Sequence, residues 1–228
     1  MPHIVRITTF VGHFTQWCKA MQRNMDKSDF DLTAQNQQTG SKIVASLERI
    51  AQAFRVLLWE ESKMFSLSPI QVQVLIFLLH HSEEKRKVSY LAEEFNMTKA
   101  TISDTVKTLE QKKLITKAYE QHDTRSYIIH LTKKGEDIAA KTSFFTKEIR
   151  TPVDKLHPDD KENLLLSLIS IIRHLNRSGV ITIQRMCMTC SYYQSSGKGQ
   201  KHFCKLLNQN LHAADLRVDC PEHQMKYE

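Results

Sequence analysis

The sequence predicts a mostly α-helical protein with one two-stranded β hairpin and a small cysteine-rich module at its C-terminal end. Three observations carry this. Gly and Pro are scarce, six and five in 228 residues, and apolar residues recur at three- and four-residue steps over long stretches, which is the helical period. That period gives way once, around residues 114–131, to a β-like pattern. Four of the five cysteines fall within the last 42 residues, a segment too short to bury much core of its own.

Residues 1–40 read as an N-terminal extension, partly flexible. Phe10, Phe14 and Trp17 allow a short amphipathic helix within 1–24, and a polar lead-in, MDKSDFDLTAQNQQTGS, begins at Met25, itself a second candidate start. The first twenty residues lack the apolar run of a secretory signal, and no run of eighteen apolar residues exists anywhere. A cytoplasmic protein is therefore expected. From Ser41 a strong helix follows, with Ile43, Leu47, Ile50, Phe54 and Leu58 on one face. Ser68-Pro69 then opens a second helix, a serine cap before a proline at the first helical position; its body IQVQVLIFLLHH is apolar almost all round and should be buried.

A charged loop, 82–87, leads to a short helix over 88–95 with Leu91, Ala92 and Phe95 inward. Asn96-Met97 makes a tight connection, and Thr98 caps the next helix, TKATISDTVKTLEQKKL. Strands are expected over 114–119 and 126–131 around the polar tip EQHDT. Thr132 caps a helix running from 133 to about 150, and Pro158 opens the last long one, which stops before Gly179. Helix, helix, short turn, helix and β hairpin, in that order, make a winged helix-turn-helix.

The chemistry of this segment suits DNA. An α-helix about 10–12 Å across fits the major groove. The helix beginning at Thr98 offers Thr98, Lys99, Thr101, Ser103, Thr105 and Lys107 to phosphates or base edges, while Ile102, Val106 and Leu109 pack inward. The hairpin tip carries His122, Asp123 and Arg125, and an extended arginine there reaches a minor groove or phosphates. Between Lys112 and Lys134 six Lys/Arg face only Glu120 and Asp123, and the whole chain carries +7. Taken singly, threonines and lysines on a helix face are ordinary solvated surface; a capped polar helix, a basic hairpin and basic flanks occurring together point to DNA.

LSPIQVQVLIFL, VSYLAEEFNMTKATISDTVKTLEQKKLI and HDTRSYIIHLTKKG together resemble the multiple-antibiotic-resistance regulator (MarR) family of winged-helix repressors and activators, over roughly residues 41–177. The D-x-R wing followed by an LT-x-x-G helix start is that family's most recognisable stretch. The resemblance implies a homodimer built from the first and last helices on a pseudo-palindromic operator. It implies that Asp123 orients Arg125, which enters the minor groove, and that the face from Thr98 to Lys107 reads the major groove. Many relatives answer to small phenolic effectors, but no residue pattern here fixes one. The apolar surfaces of 43–58 and 164–175 exceed what one small domain needs, which favours dimerisation over an ordinary core.

After Gly179 the composition changes. Cys187 and Cys190 form a C-x-x-C knuckle, Cys204 is expected to open a short helical turn, CKLLNQNL, and Cys220 precedes Pro221. Four thiolates satisfy tetrahedral Zn2+ or an iron–sulfur cluster. Zinc is the first expectation and would brace the tail; a cluster is the alternative and would make it a sensor. The spacing lacks the second C-x-x-C of a zinc ribbon and the close run of a bacterial ferredoxin, and His202 or His223 is near enough in sequence to replace a cysteine. Reduced free thiols or two disulfides are the plainer readings. Lys198, Lys201 and Lys205 offer the tail a contact to DNA, and Cys18 reads as a buried or idle thiol.

The expected organisation is an extension (1–40), a winged-helix DNA-binding and dimerisation domain (41–178) and a metal-binding tail (179–228). The sequence holds no Gly-rich phosphate loop, G-x-S-x-G or H-E-x-x-H, so an enzyme is not expected. The alternative to a DNA-binding regulator is a winged-helix protein-interaction module that no longer binds DNA.

Overall fold

The structure, a computed structural model, describes residues 28–120, 123–196 and 201–226. The helix expected within 1–24, Cys18, His122 and Lys198 lie outside the described residues. Two compact units are present, Met1–Leu57 and Leu58–Glu228.

In the first unit, helix α1 (Leu32–Gln37) is capped by Asp31, whose carboxylate accepts the Ala34 N–H at 2.8 Å. The Ser41 hydroxyl donates to Asp29 at 2.8 Å, which ties α1 to the start of α2 (Thr39–Met64). The division between the units falls inside α2. Its apolar stripe is open: Ile43, Val44, Ile50 and Val56 are all exposed.

The second unit begins with α3 (Pro69–His80). Ser68 and Gln71 cap each other, the Gln71 N–H donating to the Ser68 hydroxyl and the Ser68 N–H to the Gln71 side chain. Ser68→Ala should lower stability by about 1 kcal/mol in urea unfolding; no shift in midpoint would show that the cap is replaced by water. Val72, Val74, Leu75 and Leu78 are wholly buried, as the all-round apolar sequence requires. Helices α4 (Val88–Glu94) and α5 (Lys99–Gln111) are joined through Asn96, which takes a left-handed φ of 50°. Strands β1 (Ile115–Glu120) and β2 (Asp123–Leu131) pair antiparallel with Ile115 opposite Leu131, and they extend closer to the tip than their apolar residues suggest. Leu91, Ile102, Val106, Leu109, Ile115 and Ile129 close the core with α3.

The sequence suggests one helix over 133–150, but the structure divides it. Helix α6 (Lys133–Thr142) gives way to a 3-10 turn at Ser143–Thr146 and then to α7 (Lys147–Asp154). The hydroxyls of Thr142 and Ser143 both donate to the Ala139 carbonyl, and such local side-chain bonds compete with and bend the helical ladder. Helix α8 (Pro158–Arg177) ends at Gly179, whose φ of 76° needs glycine.

The tail also corrects an expectation. CKLLNQNL is not a helical turn. It joins β4 (Lys201–Cys204) to β5 (Gln209–Leu211) through Asn208 at a φ of 51°. With β3 (Tyr193–Ser196) these form an antiparallel sheet in the order β3-β4-β5. Met186, Leu211 and Leu216 bury against Ile169 of α8, so the tail shares a small core with the last helix.

Candidate nucleic-acid interface and four-thiol site

Helix α5 has two chemically distinct faces. Ile102, Val106 and Leu109 are buried, while Thr98, Lys99, Thr101, Ser103 and Lys107 are exposed. Thr98 caps the helix by accepting the Thr101 N–H at 3.1 Å, and its hydroxyl lies 2.8 Å from that of Thr101. Thr105, expected among the outward polar groups, is 7% exposed and donates to the Thr101 carbonyl. It sits on the α5 face that packs against the core, so it is unavailable to a partner.

The wing is fixed to this helix in ways the sequence does not announce. Lys117 of β1 donates to Glu110 of α5 at 2.6 Å and lies over the Tyr127 ring. The Ile129 N–H of β2 donates to the Arg86 carbonyl at 3.0 Å, anchoring the hairpin to the loop after α3. Asp123 and Arg125 lie on β2, with Asp123 opposite Glu120; their side chains, like the whole of His122, are outside what is described. Lys205 is exposed.

In the tail, Cys187, Cys190, Cys204 and Cys220 line one small cavity together with apolar and aromatic side chains and Glu222, whose carboxylate accepts from Cys220 Sγ at 3.4 Å. Cys190 is buried and the others are half-buried. Burial pushes the Cys187 thiol up, and the neighbouring thiols add to the shift. Among the described residues, no three Cys, His, Asp or Glu side chains are grouped closely enough to hold a single ion. Neither candidate histidine lines the cavity. His202 is buried with its Nδ1 2.6 Å from the Tyr193 hydroxyl, and His223 Nε2 lies 3.0 Å from that of Thr189.

Sequence reasoning missed Arg185. It is 8% exposed, donates to both oxygens of Asp219 and of Glu94 and also to the Tyr90 hydroxyl, and lies over the Phe77 ring. The Arg185 guanidinium, followed by His81, holds the Asp219 carboxyl well below the usual carboxylate range. One arginine in a polar tail gives no signal of this kind; a pair of acidic residues 91 and 34 positions away cannot be matched to it in advance.

A buried helical core, a capped helix with an outward polar face and an antiparallel hairpin anchored beside it define the winged helix-turn-helix class. Residues 65–126 match the MarR family. The fold is similar to that of S. aureus MepR in complex with DNA, at 25% identity over 58% of this chain and 97% of that one, with a TM-score of 0.52. It is equally similar to S. aureus MepR in its DNA-binding conformation, at 25% identity over 58% and 98% of the two chains and a TM-score of 0.51. The winged-helix segment of this chain thus resembles the MarR family in sequence and in fold. The cysteines lie beyond the matched residues. No curated protein matches the chain.

Proposed function

We propose that this protein is a cytoplasmic transcription regulator, acting as a repressor, that binds a pseudo-palindromic double-stranded operator as a homodimer and carries a metal- or redox-responsive C-terminal module. The observation that supports the DNA reading best is the split of α5, with five exposed Thr, Ser and Lys residues over a fully buried Ile102–Val106–Leu109 face. A core helix would bury both faces, and a merely solvated one would not need the wing tied to it through Lys117 and Glu110. Support for the homodimer comes from the open apolar residues Ile43, Val44 and Ile50 on α2 and Leu164 and Ile171 on α8. A small-molecule effector is compatible with this reading, and four thiols suit by type either zinc or an iron–sulfur cluster.

The test is to enrich a duplex from a random-sequence library with the full chain and to titrate it at several salt concentrations. Arg125→Ala should cost on the order of tenfold or more in affinity. Lys99→Ala should lower the salt slope by about one. Enrichment of no duplex, or unchanged affinity in Arg125→Ala at physiological salt, would respectively sink the DNA reading and the wing assignment.

A further inference from the structure

The tail and the helix-turn-helix meet at Arg185, and the same backbone pairing that places Arg185 also builds the thiol site. Arg185 lies two residues before Cys187, and Asp219 one residue before Cys220. The two segments run side by side. Arg185 and Asp219 form a parallel bridge, the Cys220 N–H donates to the Arg185 carbonyl at 2.9 Å, and the Cys187 N–H donates to the Arg217 carbonyl at 3.0 Å. Whatever holds Cys187 and Cys220 together therefore also holds the Arg185–Asp219 pair.

That pair grips both helices behind α5. Arg185 Nη1 and Nη2 reach the two Glu94 oxygens at 2.6 and 3.1 Å, and Nη1 reaches the Tyr90 hydroxyl at 2.9 Å, all on α4 or its last residue. Asp219 Oδ2 lies 3.0 Å from His81 Nε2, at the end of α3, and the His81 ring stacks on Phe77 at 3.8 Å. The Thr182 hydroxyl donates to the Glu93 carbonyl at 2.7 Å, satisfying one of the end carbonyls of α4. Between Glu94 and the Thr98 cap of α5 stands only the turn containing left-handed Asn96. A shift of the tail is thus delivered at the junction that sets where α5 points.

The thiol site itself favours a cluster over one ion. A tetrahedral zinc draws four sulfurs to about 2.3 Å from a single point, and among the described residues no three Cys, His, Asp or Glu side chains are grouped closely enough for that. The one cavity that all four thiols line is small, about 30 Å3, and Cys187, Cys204 and Cys220, without Cys190, also line a second of about 220 Å3. An iron–sulfur cluster occupies a volume and is held by four thiolates at its periphery, with hydrogen bonds to the sulfurs tuning it. Such donors are present: the Arg217 N–H reaches Cys187 Sγ at 3.2 Å and Arg217 Nη1 reaches Cys220 Sγ at 3.4 Å. Cys220 is followed by proline, as in the cysteine run of bacterial ferredoxins.

We propose that Cys187, Cys190, Cys204 and Cys220 hold an iron–sulfur cluster, and that the Arg185–Asp219–Glu94 clamp makes DNA binding by α5 depend on it. This rests on the DNA-binding reading above. With the cluster in place the two tail segments are fixed and α4 is braced. Without it the segments lose their common anchor, and the bonds to Glu93 and Glu94 loosen with them.

The experiment uses the full chain purified without oxygen, before and after stripping with an iron chelator, with both forms titrated against the enriched duplex. Loaded protein should contain iron and acid-labile sulfide in equal amounts and absorb in the visible. Stripped protein should bind about tenfold more weakly, the scale of ordinary coupling between sites. Cys190→Ser should lack iron and match the stripped form. Glu94→Gln and Thr182→Val, which leave the thiols untouched, should keep their iron while the loaded-to-stripped ratio falls towards one. Zinc in place of iron would overturn the cluster. Equal affinity of loaded and stripped wild type would overturn the coupling while leaving the DNA reading intact. An unchanged ratio in both clamp variants would overturn the route through α4. Failure of both forms to bind any duplex would remove the DNA reading and the coupling with it.

Discussion

Gly135→Ala should destabilise the protein by about 3 kcal/mol, the upper range for forced overpacking. Helix propensity alone predicts the opposite sign, since alanine is favoured over glycine inside a helix by about 1 kcal/mol. Gly135 lies in the first turn of α6, with its N–H donating to the Thr132 cap at 3.1 Å. A Cβ there would run into the Leu114 carbonyl oxygen and press on Leu131 Cδ2. Side chains can swing aside, but the Leu114 carbonyl cannot, because it already accepts the Thr132 N–H at 3.0 Å where the hairpin meets α6. Urea unfolding of the two proteins decides between the signs. A variant as stable as wild type, or more so, would mean that this junction yields at little cost.

Arg185→Ala should cost about 3 kcal/mol, the lower end for removing one partner from a buried ion pair. The lower end applies because the carboxylates left behind are unequally shielded, with Glu94 19% and Asp219 46% exposed. Among the described residues, the groups left behind have no other strong cation: Glu94 loses both its bonds to Arg185, and Asp219 keeps His81. A double-mutant cycle with Glu94→Gln separates this pair from the rest of the clamp. Hydrogen exchange should show α4 losing protection along with the tail. A cost below about 1 kcal/mol, with α4 protection unchanged, would show that the tail merely rests on the helix-turn-helix.

These two positions mark how far the sequence could be read. Gly135 sits in the LTKKG stretch that carries the family resemblance, yet its reason is a carbonyl oxygen 21 residues earlier in the chain. Local signals were legible wherever a residue's role is set by its near neighbours. The Ser68-Pro69 start, the Thr98 and Thr132 caps and the Gly179 stop all appear where the sequence puts them. The inward face of α5 was legible for Ile102, Val106 and Leu109 because the helical period fixes it. Thr105 was misread because a hydroxyl that bonds its own helix backbone can be buried at small cost, and polarity alone does not reveal this.

The tail shows the same division. The sequence by itself determined that four thiols lie in a segment too small to fold on its own core, and that a winged helix with an outward polar helix and a basic hairpin precedes it. Only the tertiary structure decided that CKLLNQNL is part of a sheet, that the four thiols surround a cavity, and that Arg185 clamps the tail to α4. Capping and periodicity act over three or four residues and leave a pattern in the sequence. A buried guanidinium shared by Glu94, Tyr90 and Asp219 joins groups 34 to 95 residues apart, and only the folded chain brings them within hydrogen-bonding reach.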